Sequence, residues 1–255
     1  MSEESLYVST TDGVMTIQLN RPQALNAVTP DLVYALDAAI DRAQSEARAV
    51  IITGDARSFS SGADLAASSN GEKKVDILDI INKLMLKIRD LKVPTIAAVS
   101  GPAAGVGCSL ALICDYVVMD PSAYLMLAFT KIGLMPDGGA TALVAASAGR
   151  HRALRMALNA EKLHAETAYE WGLATEVTSE GEYLTRAQEI AARFANGPTL
   201  SLGETEYAIN KSTLGDLEAA LDQELTGQNI LRASSDYVEG VQAFREKRPA
   251  VFAGK

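Results

Sequence analysis

A chain of 255 residues, 48% hydrophobic and 22% charged, can bury one large core or two small ones and has an ordinary globular balance. Its formal net charge of −9 argues against nucleic acid as a partner, because phosphate binding needs a basic footprint; one small anion at a local N–H-rich site is still allowed. Two histidines in the whole sequence leave little material for a metal site or a His-based triad.

The opening MSEESLYVST has no basic segment and no apolar segment of the kind that directs secretion. No uncharged apolar run reaches the roughly 18 residues of a membrane span. A cytoplasmic protein with no membrane attachment is expected. Two alternating runs, Leu6–Thr10 and Val14–Leu19, flank Asp12-Gly13 and predict a hairpin. Pro30 and Asp31 open a helix whose apolar positions are Leu32, Val33, Leu36, Ala39 and Ile40. AVIITG (49–54) is short and wholly apolar, the pattern of a strand buried on both faces, and the loop DARSFSSGADL follows it. A helix is predicted from about Lys74 to Leu91, with Ile77, Ile80, Ile81, Leu84, Met85 and Ile88 on one stripe.

PTIAAVSG (94–101) reads as the next buried strand, followed by a helix over Gly105–Cys114, a strand at YVVMD and a further candidate strand at AYLMLAF (123–129). Cys108 and Cys114 fall on different faces of that helix, which fits neither a disulfide framework nor a zinc site. Pro136-Asp137-Gly138-Gly139 breaks the chain and opens another helix, and from about His151 onward the sequence reads as almost entirely helical. Strands alternating with helices predict an α/β core with parallel strands and right-handed crossovers. The helical end is expected to pack on that core or on a neighbouring subunit; the division is placed at 1–195 and 196–255.

Three stretches carry candidate chemistry. GPAAGVG (101–107) has neither the glycine spacing of a dinucleotide fingerprint nor the Lys-Ser/Thr of a phosphate loop. It either packs a strand closely against a helix or lets backbone N–H groups approach an oxygen at a helix start. FSSGADL (59–65) is a second small-residue loop after a second buried strand. Two N–H donors converging on one carbonyl oxygen make an oxyanion hole, each worth roughly 3–4 kcal/mol in the transition state. Asp64 there reads as the cap of whatever follows. In AFTKIGLMPDGGAT (128–141), Asp137 is either the N-cap of the next helix, worth about 1 kcal/mol, or a carboxylate that shuttles a proton.

These stretches, in this order, resemble the crotonase (enoyl-CoA hydratase/isomerase) superfamily over nearly the whole chain. NRPQALNAV (20–28), AVIITG with FSSGADL, KVPTIAAVSGPAAGVGCSLALICDYVV and the ending EGVQAFREKRPAVFAGK all look like that family's motifs. The resemblance implies a ClpP/crotonase-like spiral of βαβ units with a C-terminal helical trimerisation region, assembled as a homotrimer or as two stacked trimers. It implies an acyl-CoA thioester as partner, with coenzyme A entering only as part of the substrate and no other cofactor or metal. By residue matching, the thioester oxygen lies between the N–H groups of Ser61 and Val106. Gln23, Ala24 and Leu25 line the CoA on one side, and Ser61, Gly62, Ala63, Asp64 and Leu65 line it on the other. Phe244 and Lys247 match tail positions that close the pocket.

Departures from the family pattern bear on activity. The two glutamates of a hydratase of this family fall on Ser109 and Phe129, and a hydroxyl with a phenyl ring cannot both activate water and manage the α-proton. The IGL-x-PD-x-GG pattern resembles a branch of isomerases that carries a single acid at the position of Asp137. Among Met126, Phe129, Leu134 and Met135, that carboxyl is expected to have a raised pKa. The expectation is therefore an isomerase of 3-enoyl-type CoA thioesters with Asp137 as its one acid–base group. The alternatives are a weak hydratase and a non-catalytic acyl-CoA-binding protein. Loop 66–75 and segment 123–135 are expected to shape the acyl pocket.

Overall fold

The computed structural model describes residues 5–65 and 77–255. Strands β1 (Leu6–Thr11) and β2 (Val14–Leu19) form the expected antiparallel hairpin, with Asp12 and Gly13 both at positive φ in its turn. Helix α1 (Pro30–Glu46) starts where Thr29 Oγ1 accepts the Leu32 N–H, and it buries the stripe read from the sequence. Strand β3 (Ala49–Thr53) follows, then helix α2 (Ile77–Asp90). The start of α2, expected near Lys74, lies outside the described residues, as does the 66–75 loop.

Strand β4 (Thr95–Val99) turns into the short β5 (Pro102–Ala104), which runs into helix α3 (Val106–Leu112). Then come β6 (Tyr116–Met119), β7 (Tyr124–Met126) and a 3-10 turn at Ala128–Ile132. Only the first half of AYLMLAF is therefore strand. Helices α4 (Ala140–Ala148) and α5 (Arg150–Asn159), strand β8 (Leu163–His164), helix α6 (Ala165–Glu170) and strand β9 (Glu176–Val177) lead to α7 (Tyr183–Ala195), α8 (Thr199–Thr213), α9 (Leu217–Arg232) and α10 (Ser235–Glu246). The expectation of an almost wholly helical end is corrected by β8 and β9. At two residues each, they carry no period that a sequence reading can detect.

One sheet has the order β1-β2-β3-β4-β6-β9 and is parallel from β2 onward; a second has the order β5-β7-β8. The two faces of the first sheet are sorted by residue parity. Ala49, Ile51, Ile96, Ala98 and Val118 pack against Tyr183, Ala187, Ile190 and Ala191 of α7. Val50, Ile52, Ala97, Val99, Val117 and Met119 face the larger core with α1, α2 and α3. Double-sided burial, at about 1.5–3 kcal/mol per large aliphatic side chain, explains why these strands read as unbroken apolar runs. Helix α9 packs on α4 and α2, while α10 packs on the 3-10 turn at Ala128–Ile132 and on α9. Among the described residues, no helix is long and apolar enough to cross a membrane.

Candidate active site

Successive turns of the chain lie side by side at one edge of the sheets. Val28 N–H donates to Gly62 O at 2.8 Å and Asp64 N–H to Val28 O at 3.0 Å. Ser60 N–H donates to Pro102 O at 3.0 Å, and Ala104 N–H to Ser60 O at 2.9 Å. Gly105 N–H continues the series to Met126 O at 2.9 Å. The segments near 28, 62, 104 and 126 thus form neighbouring passes of one spiral, and both small-residue loops meet there.

That ladder fixes where the N–H groups point. In a trans peptide the C=O and N–H are opposed. Gly62 O faces Val28, so Ala63 N–H faces the other way, toward the Gly105 pass, and it has no acceptor among the described residues. Gly105 O accepts from Cys108 N–H at 2.9 Å and Ser109 N–H at 3.3 Å, so Val106 N–H points back out of α3 and is likewise unmatched among the described residues. A Cβ on Gly105 would lie 3.7 Å from Gly62 Cα, which brings the two donors' passes into contact. Ser61 N–H, the donor expected from the sequence, is instead bound to Leu25 O at 2.9 Å, on the far side of the loop. Ser61 N–H is thus engaged within the protein, while Ala63 N–H is open toward the Gly105 pass. Gly62, at φ 90, reverses the chain between the two residues, so Ser61 and Ala63 N–H groups point to opposite sides, a turn that composition does not reveal.

Asp137 is 7% exposed and does not cap α4. The carboxylate of Glu224, on α9, does: it accepts from Gly139 N–H at 2.7 Å and Thr141 N–H at 2.9 Å, and Thr141 Oγ1 donates to it at 2.5 Å. Asp137 Oδ2 accepts from Gln228 Nε2 at 2.7 Å, whereas Oδ1 is buried with no hydrogen-bond partner among the described residues. Burial, then the neighbouring Glu224 charge, push this carboxyl up to about 7, against the pull of Gln228 and Arg232. Glu224 itself lies above its ordinary value because it is buried. Ser109 Oγ, fully buried, donates to Asp137 O at 2.7 Å and holds the loop against α3. A Cβ on Gly138 would lie 3.5 Å from Val106 Cγ2, which puts the acid's loop beside the Val106 donor.

Phe129 is buried, and its Cζ would lie 3.8 Å from a Cβ on Gly105, so the ring walls the donor site. Ala24 O accepts from Ser61 Oγ at 3.2 Å, and Gln23 and Leu25 on either side of it are exposed. Asp64 pairs with Arg21 at 3.0 Å rather than acting only as a cap. Leu65 O accepts from Arg245 Nη2 of α10 at 3.0 Å. Phe244 and Lys247 lie exposed at the end of α10, and it is Arg245 between them that reaches the loop. Free Cys108 and Cys114 are buried, with both thiols raised by burial, so neither is a ready nucleophile. No group of three metal-ligating residues occurs among the described residues.

Glu224 and Gln228 went unread in the sequence, although α9 held a signal. Its buried stripe runs Leu217, Leu221, Glu224, Gln228, so an apolar spacing continues into two polar residues. Asn26 is the other omission: Nδ2 donates to Ser58 O at 2.8 Å and Oδ1 accepts from Arg21 N–H at 2.9 Å.

The family model described as "Enoyl-CoA hydratase/isomerase" matches residues 9–255. The chain is 38% identical to a "Probable enoyl-CoA hydratase" of Rhodobacter capsulatus, with 100% of both sequences covered. It is 37% identical to the "1,2-epoxyphenylacetyl-CoA isomerase" of Escherichia coli, over 95% of this chain and 96% of that one. Its fold superposes on the crystal structure of an enoyl-CoA hydratase from Mycobacterium avium subsp. paratuberculosis with a TM-score of 0.91, at 43% identity and 98% coverage of each chain.

Proposed function

This chain belongs to the enoyl-CoA hydratase/isomerase family, and we propose that within it the protein moves a double bond in a 3-enoyl-type CoA thioester. The observation that carries the reading is the division of labour at α4: Glu224 takes the helix N-terminus and leaves Asp137 Oδ1 without a partner among the described residues. A buried oxygen left unpaired costs about 1–3 kcal/mol, which a structural role would not explain.

In this mechanism the thioester oxygen accepts from Ala63 and Val106 N–H. Asp137 takes a proton from the α-carbon; the electron pair spreads over a dienolate, and the same carboxyl returns a proton at the γ-carbon. Atoms balance with one acid–base group and no cofactor beyond the coenzyme A of the substrate. The two donors, at roughly 3–4 kcal/mol each, stabilise the oxygen where charge develops. The carboxyl near neutrality suits a proton that must be both taken and given back.

Two of these relatives are named as hydratases. Against hydration here stand Ser109, spent on Asp137 O, and Phe129, walling the donor site, so neither of these two positions supplies a second group to activate water. Self-association as a trimer, or as stacked trimers, is part of the same reading, supported by exposed Ile230, Val238 and Phe244 on α9 and α10. The deciding experiment incubates the protein separately with 3-enoyl-CoA and 2-enoyl-CoA, following both by mass and ultraviolet absorbance. Migration without added water supports isomerisation. Binding without either change supports a carrier, and rapid gain of water supports a hydratase.

A further inference from the structure

Among the described residues, the carboxylate of Asp137 is contacted from one side only, although its backbone carbonyl is held by Ser109 from the other. Helix α3, on one side, has the sequence VGCSLAL and brings no charge. On the other side, α9 presents Glu224, Gln228 and Arg232 at successive turns. Gln228 is fully buried, and its amide orientation is set by chemistry: Met135 O can only accept, so Nε2 faces it at 2.7 Å. The second hydrogen of the same nitrogen goes to Asp137 Oδ2, also at 2.7 Å. One amide therefore ties the backbone just before the loop and one carboxylate oxygen within it. Gln228 Oε1, like Asp137 Oδ1, is buried without a donor among the described residues.

We infer that Gln228 is a positioning residue that confines proton exchange to Oδ1 of Asp137, while Glu224 keeps that carboxylate off the helix it would otherwise cap. The inference rests on Asp137 as the acid–base group of the proposed isomerisation. With Oδ2 occupied by an N–H donor, the proton and the reactive lone pair both reside on Oδ1. The carboxyl then presents one oxygen in one orientation to both the α- and the γ-carbon. Without Gln228 the carboxyl can rotate and exchange its two oxygens, and a fixed transfer geometry is lost.

The test is Gln228→Met, which fills a similar volume with no donor, in the full-length protein. The expected result is a fall in isomerisation kcat of about 10- to 100-fold with KM within about threefold, the signature of a misplaced rather than a missing acid–base group. The acid limb of kcat/KM moves to higher pH, because a donor to the charged form has gone. A carbon-13 NMR titration of the Asp137 carboxyl in the free protein gives the same direction without turnover. Gln228→Asn, too short to reach both partners, gives the same result if the Met variant folds poorly. A loss of melting temperature with an unmoved limb overturns the inference, as does wild-type kcat. Asp137→Asn separates the two readings: if it turns over normally, the isomerase mechanism fails. If it is inactive while Gln228→Met is unchanged, only the role of Gln228 fails.

Discussion

Ser109 Oγ donates a 2.7 Å hydrogen bond to the carbonyl oxygen of Asp137, in a buried setting. Ser109 stands where a hydratase of this family carries its first glutamate, yet here the side chain fixes the loop that holds the acid. A Cβ on Gly138 would lie 3.1 Å from Ser109 Cβ, so the loop runs close against α3 at this serine, which is itself fully buried. Ser109→Glu is expected to give no efficient hydration of 2-enoyl-CoA and to destabilise the fold by about 1–3 kcal/mol or more through overpacking and a buried charge. Ser109→Ala costs about 1–2 kcal/mol for the lost bond and lowers isomerisation as the loop loosens. Denaturant melts and the absorbance of the conjugated thioester measure both. A Ser109→Glu protein that hydrates briskly would refute the assignment.

Asp137→Asn is expected to cut isomerisation by about 10²- to 10⁴-fold, the usual share of an acid–base group. The same change stabilises the protein at neutral pH. The Asp137 carboxyl sits near 7 in the fold, against an ordinary 3.8. Between those values the folded state holds a proton that the unfolded chain releases, so stability falls as pH rises from about 4 to about 7 and is flat above. Asparagine carries no such penalty. Urea midpoints at about pH 5 and pH 8 should show the variant gaining on the wild type at the higher pH, and no relative gain would mean that the carboxyl ionises without cost.

The acid limb of kcat/KM in the free enzyme should lie near 7, because the α-proton is taken by the ionised carboxyl. After burial, the largest cause holding that value up is the charge of Glu224. Glu224→Gln removes the charge, so the limb moves to lower pH. The variant also loses stability by about 1–3 kcal/mol, because its amide cannot accept from both Gly139 and Thr141 N–H groups. A limb that stays in place would show that burial alone sets the value.

The parallel core was legible because strands buried on both faces leave unbroken apolar runs, and α1 because its apolar stripe and Pro30 agree. The meeting of the two small-residue loops, with the Asp137 loop beside Val106, was legible from motif and order. The direction of an individual N–H was not, since it depends on which neighbouring pass accepts the opposite carbonyl, and it leaves Ser61 N–H on Leu25 O and Ala63 N–H facing the Gly105 pass. Glu224 and Gln228 were hidden for another reason. They lie far along the chain from the loop they support, and only their places on the buried stripe of α9 betray them. Leu25 and Asn26, at φ 51 and 55, show the local cost of the NRPQALNAV turn, which Asn26 holds with its side-chain bonds.

Gly105 tests the donor geometry most directly. It precedes α3 with φ 53 and ψ −131, a backbone conformation that side chains resist, yet the space for a Cβ is open: the nearest atoms would be Gly62 Cα at 3.7 Å and Phe129 Cζ at 3.8 Å. Gly105→Ala therefore brings conformational strain of about 1–3 kcal/mol rather than a clash. The chain can relieve that strain by rotating the Gly105–Val106 peptide, which turns Val106 N–H away from the thioester oxygen. The expected outcome is a drop in kcat of about 10²- to 10³-fold, the cost of one lost oxyanion donor, with only a modest loss of melting temperature. Gly62→Ala behaves differently, because its Cβ would sit 2.7 Å from Ala104 O and force the two passes apart, so stability and activity fall together. Paired measurement of kcat and thermal midpoint separates the two variants. If Gly105→Ala keeps wild-type kcat while its midpoint drops, Val106 N–H plays no part in holding the developing charge.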